Sequence, residues 1–140
     1  METKRLPGGG RVAIIEDDVP LREALVLFLR VKGWMVDSFG SGEESAGVAN
    51  WGEYAVVICD LYLPREDGLS VLRRVREASE EVVTVLVTAY PGSDIPAQAA
   101  SAGVDRFLYK PFSTMELVES LGALTDNKSA RRSMALASPQ

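Results

Sequence analysis

The sequence predicts an α/β fold in which helices cover both faces of a parallel sheet. Five short apolar runs recur along the chain, and segments with helical periodicity separate them. The runs show little alternation of apolar and polar residues, which is typical of strands buried on both faces. Regular alternation of strands and helices indicates parallel strands joined by helical crossovers.

The apolar runs give the predicted strands in chain order. They are VAII at 12–15, MV within WMVDSF, AVVIC at 55–59, VVTVLV at 82–87 and FLY at 107–109. Runs of this length, bounded by polar residues, favour strands over helices.

Apolar side chains at helical spacing predict three of the five helices. The stripes are Leu21, Leu25, Phe28 and Leu29 in the first helix, Leu69, Leu72 and Val75 in the third, and Leu117, Leu121 and Leu124 in the last. Three arginines of the third helix lie off its stripe, and we expect Arg73, Arg74 and Arg76 to face solvent.

The second and fourth helices have weaker signals. In SGEESAGVAN, Ser41 is the expected N-cap and Glu44 completes a capping box. The fourth helix is expected at 97–102, because the first turn of a helix tolerates a proline such as Pro96.

Length and composition fit one soluble domain. The chain has 140 residues, 46% of them hydrophobic and 25% charged. We expect a flexible segment at 1–10, an ordered domain at 11–124 and a flexible tail or linker stub at 125–140, because residues that loosen structure dominate both ends. The net charge of -5 argues against the basic surface that direct nucleic-acid binding needs.

Residue types further restrict the chemistry. The single cysteine, Cys59, cannot form an intramolecular disulfide, and the lack of histidine excludes zinc sites and histidine-based catalysis within this chain. METKRLPGGG has no following apolar stretch of a signal peptide, and no run approaches about 18 apolar residues. We therefore expect a cytoplasmic protein without membrane contact.

Polar residues follow four of the predicted strands. They are Glu16, Asp17 and Asp18 after the first strand, Asp60 after the third, Thr88 after the fourth and Lys110 after the fifth. A parallel sheet brings these strand ends to one rim, where ligands bind in such folds. Each residue also has a purely structural interpretation. Asp18 can be a helix N-cap, Thr88 a strand residue and Lys110 a surface residue before a proline.

Crowded carboxylates repel one another, and burial raises the free-energy cost of keeping them ionised. A cluster of carboxylate oxygens suits Mg²⁺, which supplies the missing positive charge. An oxygen of Asp60 is then a candidate nucleophile toward a phosphoryl group. Lys110 and Thr88 are placed to stabilise the phosphoryl oxygens by charge and by hydrogen bond.

Four motifs now identify a family resemblance: VAIIEDDVPLREAL, VVICDLYLPREDGLSVL, VLVTAY and AGVDRFLYKPFS. In order and spacing they resemble the receiver domain of bacterial two-component response regulators, over about residues 11–124. The resemblance implies a flavodoxin-like, doubly wound sheet of five parallel strands in the order 2-1-3-4-5, with helices on both faces.

The resemblance also implies roles for single residues. Asp60 matches the phosphoacceptor, which takes a phosphoryl group from a phosphohistidine on a sensor histidine kinase or phosphotransfer protein. Glu16 and Asp17 match the acidic pair that holds Mg²⁺, for which Mn²⁺ can substitute, and the backbone carbonyl of Tyr62 completes the protein ligands. Asp18 is assigned to capping the first helix. The chain is thus expected to be a signalling switch with self-catalysed phosphotransfer and autodephosphorylation, and not an enzyme.

Thr88 and Phe107 match the switch hydroxyl and the switch aromatic residue of the family. Phe107 has no phenolic hydroxyl, so the resemblance implies a steric switch. The face of the fourth helix, fifth strand and fifth helix is expected to carry a homodimer or an output domain. Pro91 and Pro96 predict an altered loop and a short fourth helix.

Three residues near the acceptor are expected to tune access to it. Ala89 is small and leaves room for the phosphoryl donor. Tyr62 and Tyr90 place rings where they can slow attack by water on phosphorylated Asp60.

Three other interpretations compete with the receiver-domain interpretation. Phosphatases of the haloacid dehalogenase class place the nucleophile after the first strand, with a second Asp two residues later, whereas here Asp60 follows the third strand and Tyr62 occupies that position. A pseudo-receiver usually loses one of the key residues, and none is lost here. Flavin or nucleotide binding conflicts with an acidic first loop, which repels phosphate. Whether the chain is a stand-alone receiver or part of a longer protein stays open.

Overall fold

Five parallel strands form one sheet in the order β2-β1-β3-β4-β5. This computed structural model describes residues 10–89, 92 and 94–122. The strands are β1 (Arg11–Ile15), β2 (Met35–Phe39), β3 (Val56–Asp60), β4 (Val83–Thr88) and β5 (Arg106–Tyr109). The predicted α/β class, strand number and strand order are confirmed.

Helices connect consecutive strands. They are α1 (Val19–Val31), α2 (Gly42–Ser45), α3 (Gly68–Ala78), α4 (Ile95–Ala102) and α5, described over 114–122, with a short 3-10 helix at Trp51–Glu53 before β3. Within the described part of the chain, no helix is both long and apolar enough to cross a membrane.

Two apolar clusters lie on opposite faces of the sheet. Ala13 and Ile15 of β1 join the cluster that includes residues of α3 and α4, while Val12 and Ile14 join the cluster that includes residues of α1 and α5. Successive strand residues therefore bury their side chains on opposite faces. This explains why the strands are apolar without alternation.

Local signals at the helix starts behave largely as predicted. The Asp18 carboxylate accepts a hydrogen bond from the amide of Leu21 at 3.3 Å, which confirms it as the N-cap of α1. Ser41 caps α2 by accepting from the Glu44 amide at 3.1 Å. The Glu44 carboxylate, however, accepts from the amide of Gly40 and not of Ser41, so the predicted capping box closes one residue earlier.

The fourth helix is short, as predicted, with eight residues, but it begins at Ile95, two residues earlier than expected. Pro96 lies in its first turn, and Gly103 ends it in a left-handed conformation (φ 80°). Tyr90, Pro91 and Leu124 lie outside the described residues, as do residues 1–9 of the predicted flexible segment and the predicted tail at 125–140.

The expectation that three arginines of α3 face solvent is wrong for Arg76, whose side chain is 19% exposed and pairs with Asp105 at 2.8 Å. Arg73 is exposed, and the Arg74 side chain is 38% exposed although it pairs with Glu66. The guanidinium groups reach carboxylates on neighbouring loops, which helical periodicity does not reveal.

Candidate functional site

The carboxyl ends of the strands converge on one rim of the sheet. Glu16 and Asp17 follow β1, Asp60 ends β3, and Lys110 follows β5. Backbone hydrogen bonds hold this rim, because the amide of Leu61 donates to Val87 and that of Lys110 donates to Thr88. The topology thus brings together residues that lie up to 94 positions apart in sequence, from Glu16 to Lys110.

Three carboxylates form a compact group at this rim. Glu16, Asp17 and Asp60 each offer an oxygen, and these oxygens lie within 4.8 Å of one another. Glu16 and Asp60 are only 3% and 7% exposed, whereas Asp17 is exposed to solvent. The group therefore has two buried carboxylates and one that faces solvent.

One ammonium group faces these carboxylates. The Nζ atom of Lys110 lies 3.0 Å from Oδ2 of Asp60 and 3.2 Å from Oε1 of Glu16. Burial and the neighbouring charge of Asp60 raise the pKa of Glu16 to about 7, although the Asp18 amide and Lys110 act in the opposite direction. Burial lowers the pKa of Lys110, but its hydrogen bonds and charge interactions with Asp60 and Glu16 together raise that pKa overall.

The donor set fits a hard divalent cation. All three candidate ligands are carboxylates, the oxygen ligands that Mg²⁺ prefers, and the exposed side of the group leaves room for waters. Burial is the main cause of the raised pKa of Glu16, and the nearby charge of Asp60 adds to it.

Neighbouring groups hold Glu16 and Asp60 in place. The Asp18 amide donates to Oε2 of Glu16 at 3.1 Å, and the guanidinium of Arg22 donates to the Glu16 carbonyl at 2.7 Å. The amide of Tyr62 donates to Oδ1 of Asp60 at 3.2 Å, while Lys110 donates to Oδ2. Both oxygens of Asp60 are therefore oriented before any ligand binds.

The loop after β3 packs closely around the acceptor position. Gly68 opens α3, and a Cβ there would collide with the carbonyl of Asp60. Two ion pairs tie the loop to its neighbours: Arg65 to Glu43 of α2, and Glu66 to Arg74 of α3. The side chain of Tyr62 extends from this loop and is 57% exposed.

The predicted switch residues lie on β4 and β5. Thr88 is fully buried at the end of β4, and Phe107 is partly buried against the apolar cluster that includes α3 and α4. Ala89 is exposed beside the site, and Tyr90 lies outside the described residues.

Tyr109 was not predicted as part of this region, but its ring stacks on that of Phe107. The two-residue periodicity of a strand places residues 107 and 109 on the same face. That periodicity was the available sequence signal for the pair.

An apolar groove of about 530 Å³ opens beside the rim, between α1 and the segment after β5. Its lining residues include Leu21, Ala24, Ala89, Lys110 and Phe112. The site is therefore acidic where the three carboxylates lie and apolar on the side of the groove.

Comparison with known proteins agrees with this geometry. The family model described as "Response regulator receiver domain" matches residues 12–122. The chain is 32% identical over 126 residues to the transcriptional regulatory protein DltR of Streptococcus agalactiae, covering 90% of this chain and 56% of DltR. It is 32% identical over 114 residues to BasR of Escherichia coli, covering 81% of this chain and 51% of BasR. The chain thus spans about half the length of these curated relatives.

Solved structures show the same fold. A CheY-like receiver domain protein from Methanospirillum hungatei superposes with a TM-score of 0.81 at 20% identity, covering 87% of this chain and 98% of that one. The response regulator TrrA of Thermotoga maritima, solved in complex with Mg(2+)-BeF, has a TM-score of 0.72 and 30% identity, with coverage of 82% and 98%. Together with the family match across residues 12–122, these likenesses establish that the chain belongs to the response regulator receiver domain family.

Proposed function

We propose that this chain is a phosphoacceptor receiver that takes a phosphoryl group onto Asp60 in cytoplasmic phosphorelay signalling. The donor is a phosphohistidine on a sensor histidine kinase or a phosphotransfer protein. One observation carries the proposal: the buried Asp60 carboxylate is held between Lys110 and the Tyr62 amide, within 4.8 Å of two further acids.

The proposed reaction is a single displacement at phosphorus. A carboxylate oxygen of Asp60 forms the new P–O bond as the P–N bond to the donor imidazole breaks, and the bonding pair leaves with that nitrogen. An acyl phosphate and a neutral imidazole result when the other ring nitrogen of the donor carries a proton. The Lys110 ammonium offsets charge on the phosphoryl oxygens, and the Thr88 hydroxyl donates a hydrogen bond to one of them.

Glu16, Asp17 and Asp60 would hold Mg²⁺, with the backbone carbonyl of Tyr62 as a further ligand and Mn²⁺ as a substitute metal. The bound cation would offset the negative charge of both the carboxylates and the incoming phosphoryl group. Ala89 would leave the approach to Asp60 open, because its methyl side chain is small.

The output of the switch is proposed to leave through the face formed by α4, β5 and α5. Thr88 would move toward the phosphoryl group, and the ring of Phe107 would follow into the vacated space. This surface would then bind a second copy or an output domain. DltR and BasR, which this chain resembles over about half their length, are named transcriptional regulatory proteins.

Intact-protein mass spectrometry after incubation with acetyl phosphate and Mg²⁺ tests the proposal. We expect a single phosphate adduct that disappears in Asp60→Asn and in EDTA. Asp67→Asn is the matched control, because Asp67 caps α3 and asparagine caps a helix equally well. An adduct that survives Asp60→Asn contradicts the assignment. A folded, Mg²⁺-binding protein without any adduct favours the pseudo-receiver.

A further inference from the structure

Two aromatic rings stack on strand β5. The rings of Phe107 and Tyr109 have centroids 5.8 Å apart and planes inclined by 11°. Phe107 is partly buried, whereas Tyr109 is 48% exposed and forms the outer layer of the pair. This is a separation and inclination at which offset-stacked aromatic rings attract each other.

The sheet register places this pair beside Thr88. Across the ladder between β4 and β5, Leu86 pairs with Phe107 and Thr88 pairs with Tyr109. Side chains of paired residues in a sheet extend toward the same face, and residues two apart on one strand do so as well. Thr88, Phe107 and Tyr109 thus share the face that α3 and α4 cover.

We infer that Tyr109 is a positioning residue that holds the ring of Phe107 in its present, partly buried position, here called the outer position, and thereby opposes the switch. The inference rests on the proposed function, in which Phe107 turns inward when Thr88 moves toward phosphorylated Asp60. The stack joins the two rings in the positions seen here, so an inward turn of the Phe107 ring away from Tyr109 gives up this contact.

The stack changes the balance between the two positions of Phe107 by a modest factor. Losing one aromatic pair should increase the inward population relative to the outer one by about two- to tenfold. The effect depends on the ring and not on the hydroxyl of Tyr109. Tyr109→Phe should therefore behave as the wild type, while Tyr109→Ala should switch more readily.

Titration of the full chain with beryllofluoride, in saturating Mg²⁺, tests the inference. Bound beryllofluoride is followed by ¹⁹F NMR, and it stands in for the phosphoryl group on Asp60. We expect Tyr109→Ala to bind about two- to tenfold more tightly than the wild type and Tyr109→Phe to bind equally. Met35→Ala, a change at a residue of β2 that is 62% exposed and lies away from the α4, β5 and α5 face, controls for loss of surface apolar area and should leave the affinity unchanged.

A second readout follows Phe107 itself. The chain has four phenylalanines, so fluorophenylalanine labelling gives four signals, and Phe107→Leu assigns the one of interest. We expect this signal to move toward its beryllofluoride-bound position in metal-free Tyr109→Ala. Tyr109→Leu, which keeps apolar volume in the strand, should show the same shift and guards against a folding defect in the alanine variant.

The outcomes separate the two proposals. Equal beryllofluoride affinity in wild type, Tyr109→Ala and Tyr109→Leu overturns the role of Tyr109 and leaves the proposed function standing. Weaker binding in both variants also overturns it, because the stack would then favour the inward state. Failure of every folded variant, wild type included, to bind beryllofluoride overturns the proposed function and the inference with it.

Discussion

The two ends of the sheet both hold partly or fully buried charges, but they balance them differently. At the amino end of β4, Arg76 donates to Asp105, to the hydroxyl of Thr84 and to the carbonyls of Gly103 and Glu80. The Asp105 carboxylate also accepts from the Thr84 amide at 2.8 Å. Charge and hydrogen-bonding capacity are matched within this network.

The carboxyl end is not matched in this way. Three carboxylates share one ammonium at distances of 3.0 and 3.2 Å from two of them, and burial raises the pKa of Glu16 to about 7. A closed network stabilises the fold, whereas an excess of buried charge stays costly until a cation binds. The amino end of the sheet therefore holds a balanced ionic network, whereas the carboxyl end holds more carboxylates than ammonium groups.

The largest effect should come from opening the closed network. Arg76→Met removes one partner and leaves Asp105 and Thr84 with reduced compensation, which should lower the free energy of unfolding by about 3 kcal/mol. Urea unfolding in EDTA measures it. The matched control is Arg11→Met. Arg11 pairs with Asp37 at 2.7 Å, close to the 2.8 Å between Arg76 and Asp105, but the side chains of Arg11 and Asp37 are 39% and 40% exposed.

Solvent screens the Arg11 pair, so its loss should leave the unfolding midpoint unchanged. Equal losses of unfolding free energy in Arg76→Met and Arg11→Met would show that burial does not distinguish the two ion pairs. An unchanged midpoint in Arg76→Met would remove the structural half of the comparison.

The next largest effect is a pH dependence at the acidic rim. The pKa of Glu16 is about 7 in the fold and near 4.5 when unperturbed. Between these values the folded state binds more protons than the unfolded state, so stability falls as pH rises. In EDTA we expect a loss of about 2 kcal/mol from about pH 5 to about pH 8.

Two conditions check that Glu16 causes this slope. Glu16→Gln keeps an acceptor for the Asp18 amide but cannot ionise, so its stability in EDTA should depend less on pH. Saturating Mg²⁺ should restore stability mainly at the high-pH end, by about 2.7 kcal/mol at a concentration of about 100 times Kd. A wild-type free energy of unfolding that increases with pH in EDTA contradicts the raised pKa of Glu16.

Most of the sheet could be predicted from the sequence because its signals are local. Five apolar runs gave five strands, and residues at strand ends, such as Asp60 and Lys110, were placed on one rim by topology alone. The N-cap at Asp18 was equally predictable, because a cap bonds an amide three residues away. Short-range physics thus yields the elements and the rim.

The closed network could not be predicted in the same way. Arg76 finds Thr84 eight residues away and Asp105 29 residues away, and no periodicity relates these positions. The stacking partner of Phe107 was missed for another reason. A half-exposed tyrosine at the end of a strand resembles any surface residue until the register places it beside Thr88.

The smallest effect concerns Tyr62, at the carboxyl end of the sheet. It sharpens the contrast between this end, where we propose that ligands bind, and the amino end, where Arg76 and Asp105 pair. Because its ring is 57% exposed, Tyr62→Ala should leave stability in EDTA nearly unchanged. It should still speed loss of the phosphoryl group by about two- to fivefold, since an exposed ring that hinders water changes the barrier by less than about 1 kcal/mol. The phosphate adduct is followed over time by mass spectrometry after acetyl phosphate is removed. Tyr62→Phe keeps the ring and should decay like the wild type, and Tyr90→Ala is expected to accelerate decay in the same way. Unchanged decay in both alanine variants would show that neither ring restricts water at Asp60.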